Sequence, residues 1–428
     1  MRFPKLLALA VCATLAACAG VTVPVSGTHP REAVDTSWRT GGAFNLPEAL
    51  ALLEFCIALD YGLNNEYIGD VPKPANAAGW EEVFPDHETL PANSVPDGVG
   101  RFNNAWKLYH KVGSDIYVVA VRGTIEDKES IADDVIATSI ADYPARLPIN
   151  DTQMLSFYLA ETPQAETHLG WTYAMAGLMF NQDDSPAQRH AGILQILRDR
   201  VPAGSRILIA GHSQGAAVAT LVHAFLHYAL VDPNDRYGLV RKGFTLKSYV
   251  FAQPKPGNWQ FAMDFARIAN GQAFVINNDR DWVPQVPLSI QFPDEPGAYL
   301  LGQITTQPGL TGLINFGIGI GDIGFGVGQR AAIALRVQNQ TIKAAVRQMN
   351  IEPRYLDPRQ PELPAYSINY ALAGTQVPVF GSASSAVVQD NSGMAEHHGP
   401  TYRLLLESAE AEGGPPSGLV RPADGVGM

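Results

Sequence analysis

Cysteine is scarce in this chain: three in 428 residues, at positions 12, 18 and 56. The first two fall at the N-terminal apolar leader, so Cys56 has no partner in the body of the protein. That excludes an internal disulfide framework and a thiolate metal site. Basic runs are equally rare. The formal net charge is −12 with no Lys/Arg cluster, which removes the electrostatic footprint of a nucleic-acid binder. Beyond the leader no apolar run is long enough to be assigned as a transmembrane helix, and no repeat of fixed period runs through the chain. What is plentiful is core material, 46% hydrophobic with 9% aromatic residues. The length fits one large α/β domain with insertions.

The leader is informative. Arg2 and Lys5 precede an apolar run from Leu6 to Ala17, interrupted only by Thr14. This is the layout of a secretory signal, too short to span a bilayer. Its end, Leu15-Ala16-Ala17-Cys18, resembles the bacterial lipobox. The resemblance implies a signal peptide over 1–17, cleavage before Cys18 and lipidation (palmitate among the acyl chains) of that cysteine. Ala19 after the cysteine points by the same resemblance to the outer membrane of the cell envelope. Two or three acyl chains are enough for stable anchoring, whereas one is not. Loss of Arg2 and Lys5 makes the mature chain more acidic still.

Residues 18–43 then read as a polar lipidated tether, 44–409 as the folded domain, and 410–428 as a Gly/Pro-rich flexible tail. Within the domain, Pro47–Ala58 has a helical apolar pattern that buries Cys56. Trp106–His110 and Asp115–Val121 read as a hairpin. Further β-branched strands alternate with helices up to residue 270, which argues for a mostly parallel sheet with helices on both faces. The stretch 288–350 is Gly-rich and apolar, an insertion that serves either as a lid or acyl-chain funnel or as a packed excursion.

The sharpest local signal is Arg206–Ala210, an apolar strand, running into Gly211-His212-Ser213-Gln214-Gly215 and then an Ala-rich helix. Strand, tight turn and helix in that order form a nucleophile elbow. Ser213 at the tip needs strained backbone angles and small neighbours, and the backbone N–H of Gln214 faces a developing oxyanion at the helix N-terminus. Upstream, Val121-Arg122-Gly123-Thr124 ends a strand where a second oxyanion donor belongs, the Thr124 amide. Downstream, Phe274–Asn278 is an apolar strand entering an acidic turn in which Asp279 and Asp281 compete to orient an imidazole. His397 and His398 precede a helix starting near Pro400. The order Ser, Asp, His is that of α/β-hydrolases.

Taken in register, these elements resemble the class 3 lipases, the fungal-lipase-like α/β-hydrolases. The residues that carry the resemblance are Arg122-Gly123-Thr124 with Asp133 downstream, His168-Leu169-Gly170-Trp171, the elbow at 211–215, Phe251–Asn258, and Asp281-Trp282-Val283-Pro284. The resemblance spans roughly residues 45 to 405 and selects Asp281 over Asp279. It also favours His397, five residues before Tyr402, with His398 as the alternative. The lid tryptophan of that family is absent, Ser130 standing near its place. The resemblance implies a metal- and cofactor-free serine hydrolase of lipid esters, similar to triacylglycerol lipases, with phospholipase A1 as the enzymatic alternative. The non-enzymatic alternative is a surface lipoprotein that retains the fold. Oligomeric state has no signal in the sequence.

Overall fold

The computed structural model describes residues 44–62, 79–83, 104–124, 139–141, 144–148, 154–162, 164–180, 192–287, 370–381 and 394–411. The signal peptide and tether, with Cys18, lie outside these residues. So do Ser130 and Asp133, the 288–350 insertion, and the tail beyond 411.

The architecture is the α/β-hydrolase fold, a mostly parallel central sheet flanked by helices. Among the described residues seven strands build it: β1 (Trp80–Glu82), β2 (Trp106–Lys111), β3 (Ile116–Val121), β8 (Arg206–His212), β9 (Thr245–Phe251), β11 (Ala273–Asn278) and β13 (Thr375–Val379), hydrogen-bonded in that order. The first three pair antiparallel, the expected 106–121 hairpin among them, and every later pairing is parallel. A smaller antiparallel sheet combines β12 (Tyr370–Ala371), β10 (Gly257–Asn258), β7 (Glu166–His168) and β4 (Ser139–Ala141), and β5 (Ala145–Pro148) pairs with β6 (Met154–Phe157).

Side-chain alternation along the strands explains why both faces are covered. Val118 and Ala120, Leu208 and Ala210, Tyr249 and Phe251, and Phe274 and Ile276 all point into one core. That core is closed by α1 (Leu46–Gly62) and α6 (Gly399–Ala411), and Cys56 is buried within it. Val119, Ile207, Ile209, Val250 and Val275 enter the other. There they meet α2 (Leu169–Phe180), α3 (Ile193–Arg200), α4 (Gln214–Leu230) and α5 (Trp259–Ala269). Helix α4 is buried along nearly its whole length, which is why its sequence is so rich in alanine and valine.

Two buried amides fix the connections around the second sheet. Gln253 donates to the Thr220 hydroxyl and the Ala373 carbonyl and accepts the Ala373 N–H. Asn258 caps α5 by accepting the Phe261 N–H and also accepts the Glu166 N–H. Each is a buried polar group kept satisfied. Among the described residues no helix is long and apolar enough to cross a membrane.

Candidate active site

The strand β8 delivers the chain to a turn that only glycine permits. A Cβ on Gly211 would lie 2.1 Å from the Gly215 carbonyl oxygen, and one on Gly215 would lie 2.5 Å from the Val121 carbonyl oxygen. Strand, helix and the end of β3 therefore touch backbone to backbone. Between the glycines, Ser213 takes φ 57° and ψ −131°, a region costly for a residue with a Cβ. It is held there because its N–H donates to the Phe251 carbonyl while its own carbonyl accepts the Ala216 N–H. The Ser213 side chain makes no cap hydrogen bond to α4, so the turn is not there to cap the helix.

The hydroxyl goes elsewhere. Ser213 Oγ lies 2.8 Å from His397 Nε2, and His397 Nδ1 lies 2.8 Å from Asp281 Oδ2. A carboxylate only accepts, so Nδ1 carries the proton and Nε2 is left to accept from the serine. Three segments far apart in sequence thus meet: the tip of the β8–α4 elbow, the turn after β11, and the loop before α6. His398 is not part of this chain of contacts. Its carbonyl accepts the Thr401 and Tyr402 N–H groups and starts α6. Asp279 is exposed, and its carboxylate accepts the Gly381 N–H instead.

Electrostatics suit the arrangement. Burial alone would push the Asp281 pKa up, but the His397 ring, the Val283 N–H and the Tyr402 hydroxyl outweigh it and hold the carboxyl below the usual range. For His397, burial dominates and lowers the pKa, against the pull of Asp281 and with help from the neighbouring His212 and His398. The imidazole is thus kept neutral, the state a general base needs.

Thr124 follows the end of β3, one residue beyond Gly123, where an added Cβ would lie 3.4 Å from Ser213 Cβ. Gln214 begins α4 on the other side of the serine. Of the two residues expected to supply oxyanion amides, Gln214 is thus next to the serine in sequence and Thr124 follows a glycine that packs against it. His168 ends β7 and stacks on Trp171 at 3.7 Å between ring centroids, both fully or nearly fully buried. This pair supports the β7–α2 junction. Among the described residues no group of three or more His, Cys, Asp or Glu side chains gathers to hold a metal.

Three residues about the site were not singled out as functional from sequence. Tyr402, known only as a spacing marker, donates its hydroxyl to Asp281 Oδ2 at 2.8 Å and accepts the Asn278 N–H at 3.0 Å. Asn278 in turn donates to the Glu396 carbonyl, tying the acid's strand to the histidine's loop. Asp60, on α1, accepts the Gly123 N–H at 3.1 Å and approaches His212. No local pattern announces such partners, since each lies at least 63 residues away along the chain.

Comparison with known proteins places the chain among lipases. Residues 118–290 match the family model of the class 3 lipases. A 106-residue stretch is 37% identical to a secreted mono- and diacylglycerol lipase of Malassezia restricta, covering 24% of this chain and 29% of that protein. A 96-residue stretch is 35% identical to a secreted mono- and diacylglycerol lipase of Malassezia globosa, covering 22% and 28%. The chain therefore spans under a third of the length of these relatives. Among solved structures, M37 lipase aligns over 86% of this chain and 92% of its own at 16% identity and a TM-score of 0.45. A triacylglyceride lipase of Rhizomucor miehei aligns over 57% and 74% at 16% identity and a TM-score of 0.36.

Proposed function

We propose that the chain is a serine hydrolase of the class 3 lipase type that cleaves carboxylic esters of lipids. One observation carries the reading: His397 stands between Ser213 and Asp281 with a hydrogen-bond distance of 2.8 Å on either side. The family match over residues 118–290, which takes in Ser213 and Asp281 but stops short of His397, supports the serine-hydrolase part of the reading.

In this reading, Ser213 Oγ attacks the acyl carbonyl while His397 Nε2 takes its proton. Asp281 holds the ring through Nδ1 and stabilises the imidazolium that forms. The amides of Thr124 and Gln214 receive the tetrahedral oxyanion; losing one such donor costs about 3–4 kcal/mol of barrier. His397 then gives its proton to the departing alkoxide, the alcohol leaves, and water repeats the sequence on the acyl-enzyme. The chemistry requires neither metal nor organic cofactor.

Acylglycerols are the substrate class we favour, because the relatives that match the chain are named for mono- and diacylglycerols. Cys18 in its lipobox-like setting favours phospholipase A1 as a second reading. A lipid anchor there would hold the enzyme at the cell envelope, against phospholipid and on the outer membrane. Ser213→Ala tests the hydrolase assignment: turnover of p-nitrophenyl esters should vanish while the thermal melt stays put, and activity within about tenfold of the parent would refute it. Lipid profiling of mixed acylglycerol and phospholipid vesicles treated with the purified chain separates the two substrate classes.

A further inference from the structure

Building on that reading of Ser213, His397 and Asp281, we propose that Asp60 and His212 form a second carboxylate–histidine pair with a positioning role. The pair fixes the histidine loop against the end of the oxyanion strand and sets an ionisable ring beside the catalytic one.

The geometry is a relay of backbone and side-chain contacts. Asp60, two residues before the end of α1, accepts the N–H of Gly123 through Oδ1 at 3.1 Å. Gly123 immediately precedes Thr124, the assigned oxyanion donor. The other oxygen of Asp60 stands 3.4 Å from His212 Nδ1. On its far side the His212 ring donates from Nε2 to the main-chain carbonyl of His397 at 2.8 Å. One carboxylate and one imidazole thus connect the two loops whose spacing decides whether hydroxyl, base and oxyanion donors converge. Positioning of this kind matters because small displacements of reacting groups cost rate steeply.

The protonation state follows from the partners. A carbonyl oxygen cannot donate, so Nε2 carries a proton in every state. An unprotonated Nδ1 would turn its lone pair toward a carboxylate; a protonated one turns a charge-assisted donor toward it. His212 is 4% exposed, and burial works against its cation. Asp60, the His397 carbonyl and the more distant Asp281 outweigh that burial and raise its pKa. The other groups packed around it do not reverse the balance. Tyr402 meets the ring edge-on at 5.9 Å with its hydroxyl committed to Asp281. Cys56, one turn before Asp60, has its thiol pKa pushed up by burial and is neutral.

The cation has a consequence for the base. The rings of His212 and His397 lie 4.8 Å apart, and the charge on His212 lowers the pKa of His397. His212 therefore helps keep His397 unprotonated and ready to accept the serine proton at mildly acidic pH.

The experiment measures kcat and KM for p-nitrophenyl butyrate against pH, in the full-length chain and four variants, beside thermal melts. Asp60→Ala should lower kcat by about tenfold or more with KM within about twofold, and Asp60→Asn should recover part of that loss, because its amide oxygen still accepts the Gly123 N–H. His212→Asn keeps a donor but no charge, and should move the acid limb of kcat/KM up by roughly half a pH unit or more. His212→Phe also loses the donor and should lower kcat further. A folded His212→Asn variant whose acid limb and kcat match the parent would overturn the proposal while leaving the hydrolase reading intact. A parent without esterase activity would instead overturn both. Should the variants fail to fold, ring nitrogen-15 spectra of the parent at about pH 6 decide: two protonated nitrogens on most His212 rings support the pair, and one bare nitrogen on most of them contradicts it.

Discussion

Tyr402 and His397 share one oxygen. The Tyr402 hydroxyl and the His397 Nδ1–H both donate to Asp281 Oδ2, each at 2.8 Å, while the other oxygen of Asp281 accepts the Val283 N–H. Three donors on a buried carboxylate are what hold it ionised against the cost of burial. Tyr402→Phe removes one donor and also leaves the Asn278 N–H without its acceptor. We expect a loss of about 1–3 kcal/mol in denaturant unfolding, since the bond goes to a charged group and a buried donor is stranded. A fall in kcat should accompany it, with KM little changed. Unaltered stability and kcat would show that the third donor is dispensable.

The turn after β11 offers a paired comparison. Asp281→Asn should cut kcat by about 10⁴-fold, because an amide favours the wrong imidazole tautomer. Asp279→Asn should leave it within about twofold, as an exposed turn substitution that keeps an acceptor for Gly381. His397→Ala and His398→Ala should divide in the same way. Equal losses within either pair would mean that the contacts at 2.8 Å do not mark the working residues.

Close backbone contact at the elbow gives a stability prediction. Gly215→Ala would drive a methyl to 2.5 Å from the Val121 carbonyl oxygen and 2.6 Å from that of Arg122. Neither atom is the end of a flexible side chain, so β3 and α4 must separate. A loss of roughly 3 kcal/mol or more is expected in urea unfolding. A folded Gly215→Ala protein of parental stability would contradict the packing described at this junction.

His223 ties stability to pH. It is buried on α4 with Nδ1 2.9 Å from the Ser248 hydroxyl, and burial, with a smaller push from His227, lowers its pKa to about 3. The unfolded ring titrates near 6.5. A group whose folded pKa is depressed contributes stability that is whole above the unfolded value and is lost as pH falls from about 6.5 toward 3. Over that window the unfolded state binds the extra proton, so the slope approaches about 1.4 kcal/mol per pH unit at most. Urea midpoints measured between pH 7 and 4 should fall in the parent and fall less steeply in His223→Gln. Parallel curves would remove His223 as the cause.

The elbow could be read from sequence because its constraints are local. An apolar strand, two glycines and a small-residue helix occur within a short stretch, and each has one physical reason to be there. Asp281 and His397 needed more. Local pattern left Asp279 and His398 as rivals, and only the register of several motifs separated them. Strand β13 escaped notice because Thr375–Val379 contains Pro378, which reads as a break. Proline is tolerated there because, among the described residues, β13 is the outermost strand, paired on one side only with β11. Strands β10 and β12 are two residues each and carry no periodicity to detect. Asp60 was invisible for a different reason. An acid near the end of a helix looks like any solvated residue until the fold brings Gly123 and His212 to it.

Activation of Ser213 by His397 is tested most directly by reaction with a fluorophosphonate probe. The intact chain should gain one adduct, mapped to the peptide that contains Ser213, much faster than the unfolded chain or the His397→Ala variant. Labelling spread over other serines, or a rate for Ser213 that does not depend on His397, would contradict it.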